Sequence, residues 1–274
     1  EAVKLNKLNR DITNEGINYD CIKSNVDRES RIANIHILGP TKKDLVSIKQ
    51  AEKLGSDWWP LKLARELEDL ILLLRTNELE VGVFTITSEG DKGHTLEVTS
   101  ILEKNKNIWF INEIIGYLRR TLSRLDLSSR SIFTIIDNKS CFSGILAELL
   151  FVADRSYMLN NAMKKNEVKG PFISLSNINF GSLEMVNGLS RLATRFNNDK
   201  LKLDSIRKLV GISLDAERAF DEELVTVIPD DLDWTEEIRL SVEERTGFSP
   251  DALTGLEANL RFPGKETCET KIFG

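Results

Sequence analysis

The 274-residue chain has a formal net charge of −6, with 41% hydrophobic and 29% charged residues. This composition excludes a disordered chain, a collagen-like repeat and a disulfide scaffold. The acidic balance disfavours non-specific binding to nucleic acid, and no apolar run reaches the roughly 18 residues of a membrane span.

The expectation is therefore a cytoplasmic protein with neither nucleic acid nor membrane as partner. Cys21, Cys141 and Cys268 form no C-x-x-C pair and read as free thiols of a reducing compartment. The sequence opens on Glu1 without a methionine and stops at Ile272-Phe273-Gly274 in a pattern that still looks structured. It reads as a piece of a longer polypeptide.

In chain order, residues 1–18 are polar and without period, and read as a linker or approach segment. Tyr19–Val26 and Arg31–Leu38 read as strands joined by an Asp27–Ser30 turn. Ser47–Leu54 reads as a short helix. Asp57 is a candidate N-cap for the next helix, with Pro60 in its first turn. The stripe Leu61, Leu63, Ala64, Leu67, Leu70, Ile71 and Leu74 then marks one helical face.

Val81–Thr87 reads as a buried strand closed by Glu89-Gly90-Asp91. Asn107–Asp126 is a long helix with Trp109, Ile111, Ile114, Ile115, Leu118, Leu122 and Leu125 on its apolar face. Ile132–Ile136, Arg155–Leu159 and Phe172–Leu175 read as strands, with a helical segment at Ser143–Leu150. From Leu183 onward the chain is mostly helical. Alternation of strands and helices predicts an α/β core with parallel pairing over residues 19–200, and a helical C-terminal region over 201–274.

Chemistry-bearing motifs are few. His36 falls in a strand and His94 in a loop, neither in a zinc-binding spacing. No Walker loop and no G-x-G-x-x-G is present. The basic run Leu118–Arg124 reads as a solvated or ion-paired face. The sharper alternative is a phosphate-contacting face, for instance for the nucleotide part of coenzyme A. Trp58-Trp59-Pro60 reads as packing at a helix start, with a subunit interface as the alternative.

The stretch Cys141-Phe142-Ser143-Gly144-Ile145-Leu146-Ala147-Glu148, followed by Leu149–Asp154, resembles the crotonase (enoyl-CoA hydratase/isomerase) superfamily. There a glycine-rich turn precedes a glutamate and, six residues later, an aspartate. Ser174–Gly181, Gly211–Phe220 with Leu224–Pro229, and Ser249–Leu253 resemble later segments of the same pattern, in the same order. The resemblance implies a crotonase-like (ClpP/crotonase) ββα spiral core. Its chemistry is a backbone N–H at a helix start that stabilises a thioester oxygen, beside a glutamate acting as acid or base.

Longer strings narrow the likeness: Trp58–Lys62, Arg75–Gly82, Leu118–Leu122, Ser128–Ser131 and Ser249–Phe262. They resemble the C-terminal half of the benzoyl-CoA-dihydrodiol lyase (2,3-epoxybenzoyl-CoA dihydrolase) family, over essentially the whole chain. The resemblance implies a homodimeric parent with two crotonase-like halves, working in aerobic benzoate degradation. That parent opens 2,3-epoxybenzoyl-CoA hydrolytically to 3,4-dehydroadipyl-CoA semialdehyde and formate. The thioester is then the substrate, and no metal or redox cofactor is expected.

Within that pattern Glu148 and Asn177 stand at the two glutamate positions, and Ile145 at the oxyanion glycine. Glu89–Leu96 departs from the second oxyanion loop. The resemblance therefore places the working site in the N-terminal half, with Glu148 and Asn177 as degenerate positions here. The rival readings are a lobe that binds a CoA thioester without turnover, and a divergent enoyl-CoA hydratase/isomerase using Glu148.

Overall fold

The computed structural model describes residues 2–161, 170–262, 264, 266, 267, 269 and 270. Glu1, Cys268 and Ile272-Phe273-Gly274 lie outside the described residues. Seven strands form one sheet in sequence order. They are β1 (Asp11–Ile12), β2 (Ile17–Asn18), β3 (Ile22–Asp27), β4 (Ile32–Leu38), β5 (Val83–Glu89), β6 (Ser131–Ile136) and β7 (Arg155–Met158). β1 to β4 pair antiparallel through short turns, whereas β4 to β7 pair parallel.

Parallel pairing requires crossovers, and here they are helical. α1 (Ile48–Leu54) and α2 (Trp59–Asn77) link β4 to β5. α3 (Lys92–Lys104) and α4 (Trp109–Asp126) link β5 to β6. A 3-10 turn Gly144–Ala147 and α5 (Glu148–Val152) link β6 to β7. A second, two-stranded sheet pairs β8 (Ile173–Ser174) with β9 (Ser213–Leu214). The remaining helices are α6 (Arg191–Arg195), α7 (Lys200–Arg207), α8 (Ala216–Asp221), α9 (Trp234–Thr246) and α10 (Pro250–Arg261).

The main core lies between the sheet and α2 and α4. Every member of the predicted α2 stripe is buried. On the opposite sheet face Val83, Phe133 and Tyr157 pack with Val242 of α9. β5 and β6 are thus buried on both faces and read as continuous apolar runs rather than as alternation.

Five readings need correction. Residues 1–18 are not a free linker, because β1 and β2 lie within them. One tie is local, the Ser24 hydroxyl accepting from Ile17 N–H at 3.1 Å and donating to Ile17 C=O at 2.7 Å, and another reaches α2, where Asp69 pairs with Arg10 at 3.0 Å. A Cβ on Gly16 would stand 2.1 Å from Ser24 O. Two-residue strands carry no legible period.

Asp57 caps nothing: it ends a 3-10 turn, and Trp58 is the N-cap of α2. Both tryptophans turn into this chain's own core, which also removes the subunit-interface alternative. Trp58 Nε1 donates to Asp44 O at 3.0 Å and Trp59 Nε1 to Leu38 O at 2.9 Å. Trp109 is 51% exposed, and its neighbour Phe110 takes the core position, stacked on Trp58 with centroids 6.1 Å apart.

His94 lies in the first turn of α3, not in a loop. Asp91 caps that helix by accepting from Gly93 N–H at 2.7 Å and His94 N–H at 3.1 Å. Gly93 and the β-branched residues Thr95, Val98 and Thr99 had masked the helix, being poor helix formers. In the C-terminal region, Ser213–Leu214 is a strand.

Replacing Asp91 by Ala is expected to lower the unfolding free energy by about 1 kcal/mol, as for other cap deletions. Asp57→Ala should stay within about 0.5 kcal/mol. Urea denaturation of the two variants measures this difference.

Glu66 of α2 holds β3 by accepting from Cys21 N–H at 2.8 Å. Burial pushes its carboxyl up to about 7. The folded chain holds this proton more tightly than the unfolded one, so the contribution to stability is full below the ordinary carboxyl range. It is lost as pH rises through about 7. Urea midpoints across that window should fall in the parent chain and fall less in Glu66→Gln.

Candidate active site

Gly144 starts the turn that leads into α5. Its φ is +51°, and a Cβ there would meet Thr99 Oγ1 at 2.3 Å. Only glycine fits the conformation and the approach. The turn aims the Ile145 N–H at Thr99 of α3, whose Oγ1 accepts it at 3.1 Å. Thr99 Oγ1 in turn donates to Thr95 O at 2.7 Å. Thr95 and Thr99 are fully buried.

The amide at the oxyanion-glycine position is therefore already satisfied. Beyond β5 the amides are also committed. Gly90 N–H donates to Lys139 O at 3.2 Å, and the Asp91 carboxylate takes those of Gly93 and His94.

Glu148 opens α5 and is 1% exposed. Its Oε2 accepts from Arg191 Nη1 at 2.8 Å, and its Oε1 from Asn179 Nδ2 at 2.8 Å. Arg191 of α6 reaches further. Nε and Nη2 grip Asp126 at 3.0 and 2.6 Å, and Nη1 also donates to Leu183 O at 2.7 Å. Asn179 Nδ2 donates to Gly144 O at 3.0 Å, and its Oδ1 accepts from Ser176 N–H at 2.9 Å.

Two buried acids share one guanidinium. Burial pushes the Glu148 and Asp126 carboxyls up, and the Arg191 charge opposes that rise. Arg191 is held protonated against its own burial by Asp126 first and Glu148 second.

The other predicted positions are dispersed. Asn177 begins the 3-10 turn Asn177–Phe180 and is exposed. The amide that reaches Glu148 belongs to Asn179. The Ser176-x-x-Asn179 spacing, a capping box of the kind that organises helix starts, was the available signal for it. Arg191 had no such signal, since nothing local marks an arginine as buried.

Asp154 accepts from Ile132 N–H at 2.7 Å and from Arg261 of α10 at 2.6 and 3.0 Å. His36 Nδ1 sits 2.9 Å from Thr87 Oγ1 and its Nε2 3.5 Å from Glu89. In the basic run, Arg120 and Arg124 both pair with Glu68 of α2, the ion-paired alternative. Ile145, Glu148 and Asn177 line none of the five principal clefts. Among the described residues, no group of three or more His, Cys, Asp or Glu could hold a metal ion, and no helix is long and apolar enough to cross a membrane.

Arg191→Met strands two buried carboxylates and should cost about 3–5 kcal/mol. Glu148→Gln keeps the Asp126–Arg191 pair and mismatches one donor, so about 1–3 kcal/mol is expected. Denaturant unfolding of both variants tests the order.

No protein-family model matches the chain. Solved structures share its shape at low identity. An enoyl-CoA hydratase from Geobacillus kaustophilus HTA426 aligns over 93% of this chain and 85% of that one, at TM-score 0.60 and 13% identity. One from Bacillus anthracis aligns over 92% and 87%, at 0.61 and 14%. An enoyl-CoA hydratase/carnitine racemase from Magnetospirillum magneticum aligns over 93% and 86%, at 0.60 and 16%.

The chain has the crotonase fold, as the sequence pattern led one to expect. It is also 44% identical over all 274 residues to a benzoyl-CoA-dihydrodiol lyase from Aromatoleum evansii. It spans about half, 48%, of the length of that relative.

Proposed function

We propose that this chain is the catalytically silent, structural crotonase-like half of an aromatic acyl-CoA ring-opening lyase. In this reading a companion crotonase-like unit opens 2,3-epoxybenzoyl-CoA hydrolytically to 3,4-dehydroadipyl-CoA semialdehyde and formate. The assembly is a homodimer in the cytoplasm. The CoA thioester is substrate, and neither a metal nor a redox cofactor takes part. The 44% likeness to the lyase supports the parent activity, and the shared fold supports an acyl-CoA enzyme.

One observation carries the assignment of silence: Thr99 Oγ1 occupies the Ile145 amide. Thioester chemistry of this kind needs preorganised donors within about 2.7–3.1 Å of the developing oxyanion. Here the donor is spent on a buried hydroxyl that is itself bonded, and the adjoining Gly144 leaves no slack. Glu148 adds to this. An acid–base group must reach the proton it moves, yet both its oxygens are engaged within the core. Asn177 carries an amide, which does not transfer protons near neutral pH.

Incubation with 2,3-epoxybenzoyl-CoA and with crotonyl-CoA should give no turnover above background. Turnover abolished by Glu148→Gln would overturn the assignment and restore a divergent hydratase/isomerase. Calorimetry with benzoyl-CoA should show no tight binding. Micromolar binding without turnover would replace the structural role with that of a CoA-thioester-binding lobe.

A further inference from the structure

A cleft of about 350 Å³ opens where α6 meets α9 and α10. Four arginines line it: Arg191, Arg195, Arg245 and Arg261. Two are matched, Arg191 by Asp126 and Arg261 by Asp154. Two are not. Among the described residues Arg195 makes a single hydrogen bond, to Leu224 O at 3.0 Å. Burial pushes its pKa down to about 10, with only the Glu223 charge opposing.

The Arg245 side chain is 13% exposed, and its closest carboxylate oxygen, on Glu257, is 4.0 Å away. That is too far for a hydrogen bond. That oxygen, Glu257 Oε1, accepts from the Ser131 hydroxyl, and Oε2 lies 3.7 Å from Arg261. The Arg245 Nε is buried without a partner, as is the hydroxyl of Thr194, a residue 9% exposed that also lines the cleft.

Buried donors left without acceptors cost about 1–3 kcal/mol each, and folded proteins supply the acceptor from protein or solvent species. The carboxylates that line this cleft, Asp126 and Asp154, are taken by Arg191 and Arg261, which leaves Arg195 and Arg245 without an anionic oxygen at hydrogen-bond distance. Guanidinium forks fit the oxygens of a tetrahedral oxyanion better than a point ion such as chloride. We propose that the cleft is a binding site for a phosphate-class oxyanion, held by Arg195, Arg245 and Thr194. The volume of about 350 Å³ is ample for a phosphoryl group. Ile145, Glu148 and Asn177 do not line the cleft, so the site stands independently of the acyl-CoA reading.

The test is titration calorimetry of the whole chain with inorganic phosphate against sodium chloride of equal ionic strength. Saturable binding at one site is expected for phosphate and none for chloride. Arg195→Gln and Arg245→Gln should each weaken phosphate binding about tenfold or more. Thr194→Val keeps the shape and should weaken it less.

Adenosine 3′,5′-bisphosphate separates the sources. Equal affinity assigns free phosphate, and tighter binding assigns a phosphoryl group on a larger ligand. Heat indistinguishable from the chloride control overturns the proposal. So does phosphate affinity unchanged in all three variants, each shown folded by a cooperative melt.

Discussion

The buried cluster of Glu148, Arg191 and Asp126 is the constraint around which the rest of the chain is arranged. A guanidinium at 1% exposure is tolerable only when carboxylates and carbonyls meet it directly. Asp126 ends α4, Glu148 begins α5 and Arg191 begins α6. The neutralised cluster therefore sits where one helix ends and two start. The same requirement spreads outward, because Arg261 donates to Asp126 O as well as clasping Asp154. Through it α10 is fastened against the N-terminal ends of β6 and β7.

In the proposed structural role, this arrangement stabilises at the expense of reactivity. A working carboxyl needs a free oxygen, an open face and a tunable proton. Glu148 has its oxygens held by two donors from separate elements and no open face. The oxyanion amide follows the same logic, since Thr99 gives Ile145 N–H a partner that a catalytic site would withhold for substrate. A strained glycine turn and a buried glutamate persist, but as parts of the packing. Function and stability compete for the same groups, and here the packing has taken them.

Arg191 also joins two regions that would otherwise look unrelated. One side of its guanidinium faces Glu148 beside the Gly144 turn, while the residue also borders the arginine-lined cleft between α6, α9 and α10. The cleft is cationic because its carboxylates are consumed pairwise: Asp126 by Arg191, Asp154 by Arg261. Arg195 and Arg245 are then left with little to bond.

Much of the architecture was legible in the sequence, because it rests on local physics. The stripe from Leu61 to Leu74 has helical period and is buried as one face. The apolar runs at Val81–Thr87 and Ile132–Ile136 read as strands because both faces are covered, and they become β5 and β6. Gly144 followed by Glu148 marked the turn and helix of the degenerate site. By contrast, two-residue strands near the start had no period to read, and Trp109 and Phe110 differ only in phase. The resemblance put Asn177 at the second glutamate position, but the amide that reaches Glu148 is that of Asn179, two residues on. Arg191, 43 residues further on, left no local trace. The sequence by itself determined the order and type of the longer elements apart from α3, and that positions 145 and 177 carry neither a glycine nor a carboxylate, since propensity and side-chain chemistry are properties of the chain. Only the tertiary structure decided which charges pair, which amide is closed and which arginines lack a bonded carboxylate. Those depend on groups tens of residues apart, brought within 3 Å by packing.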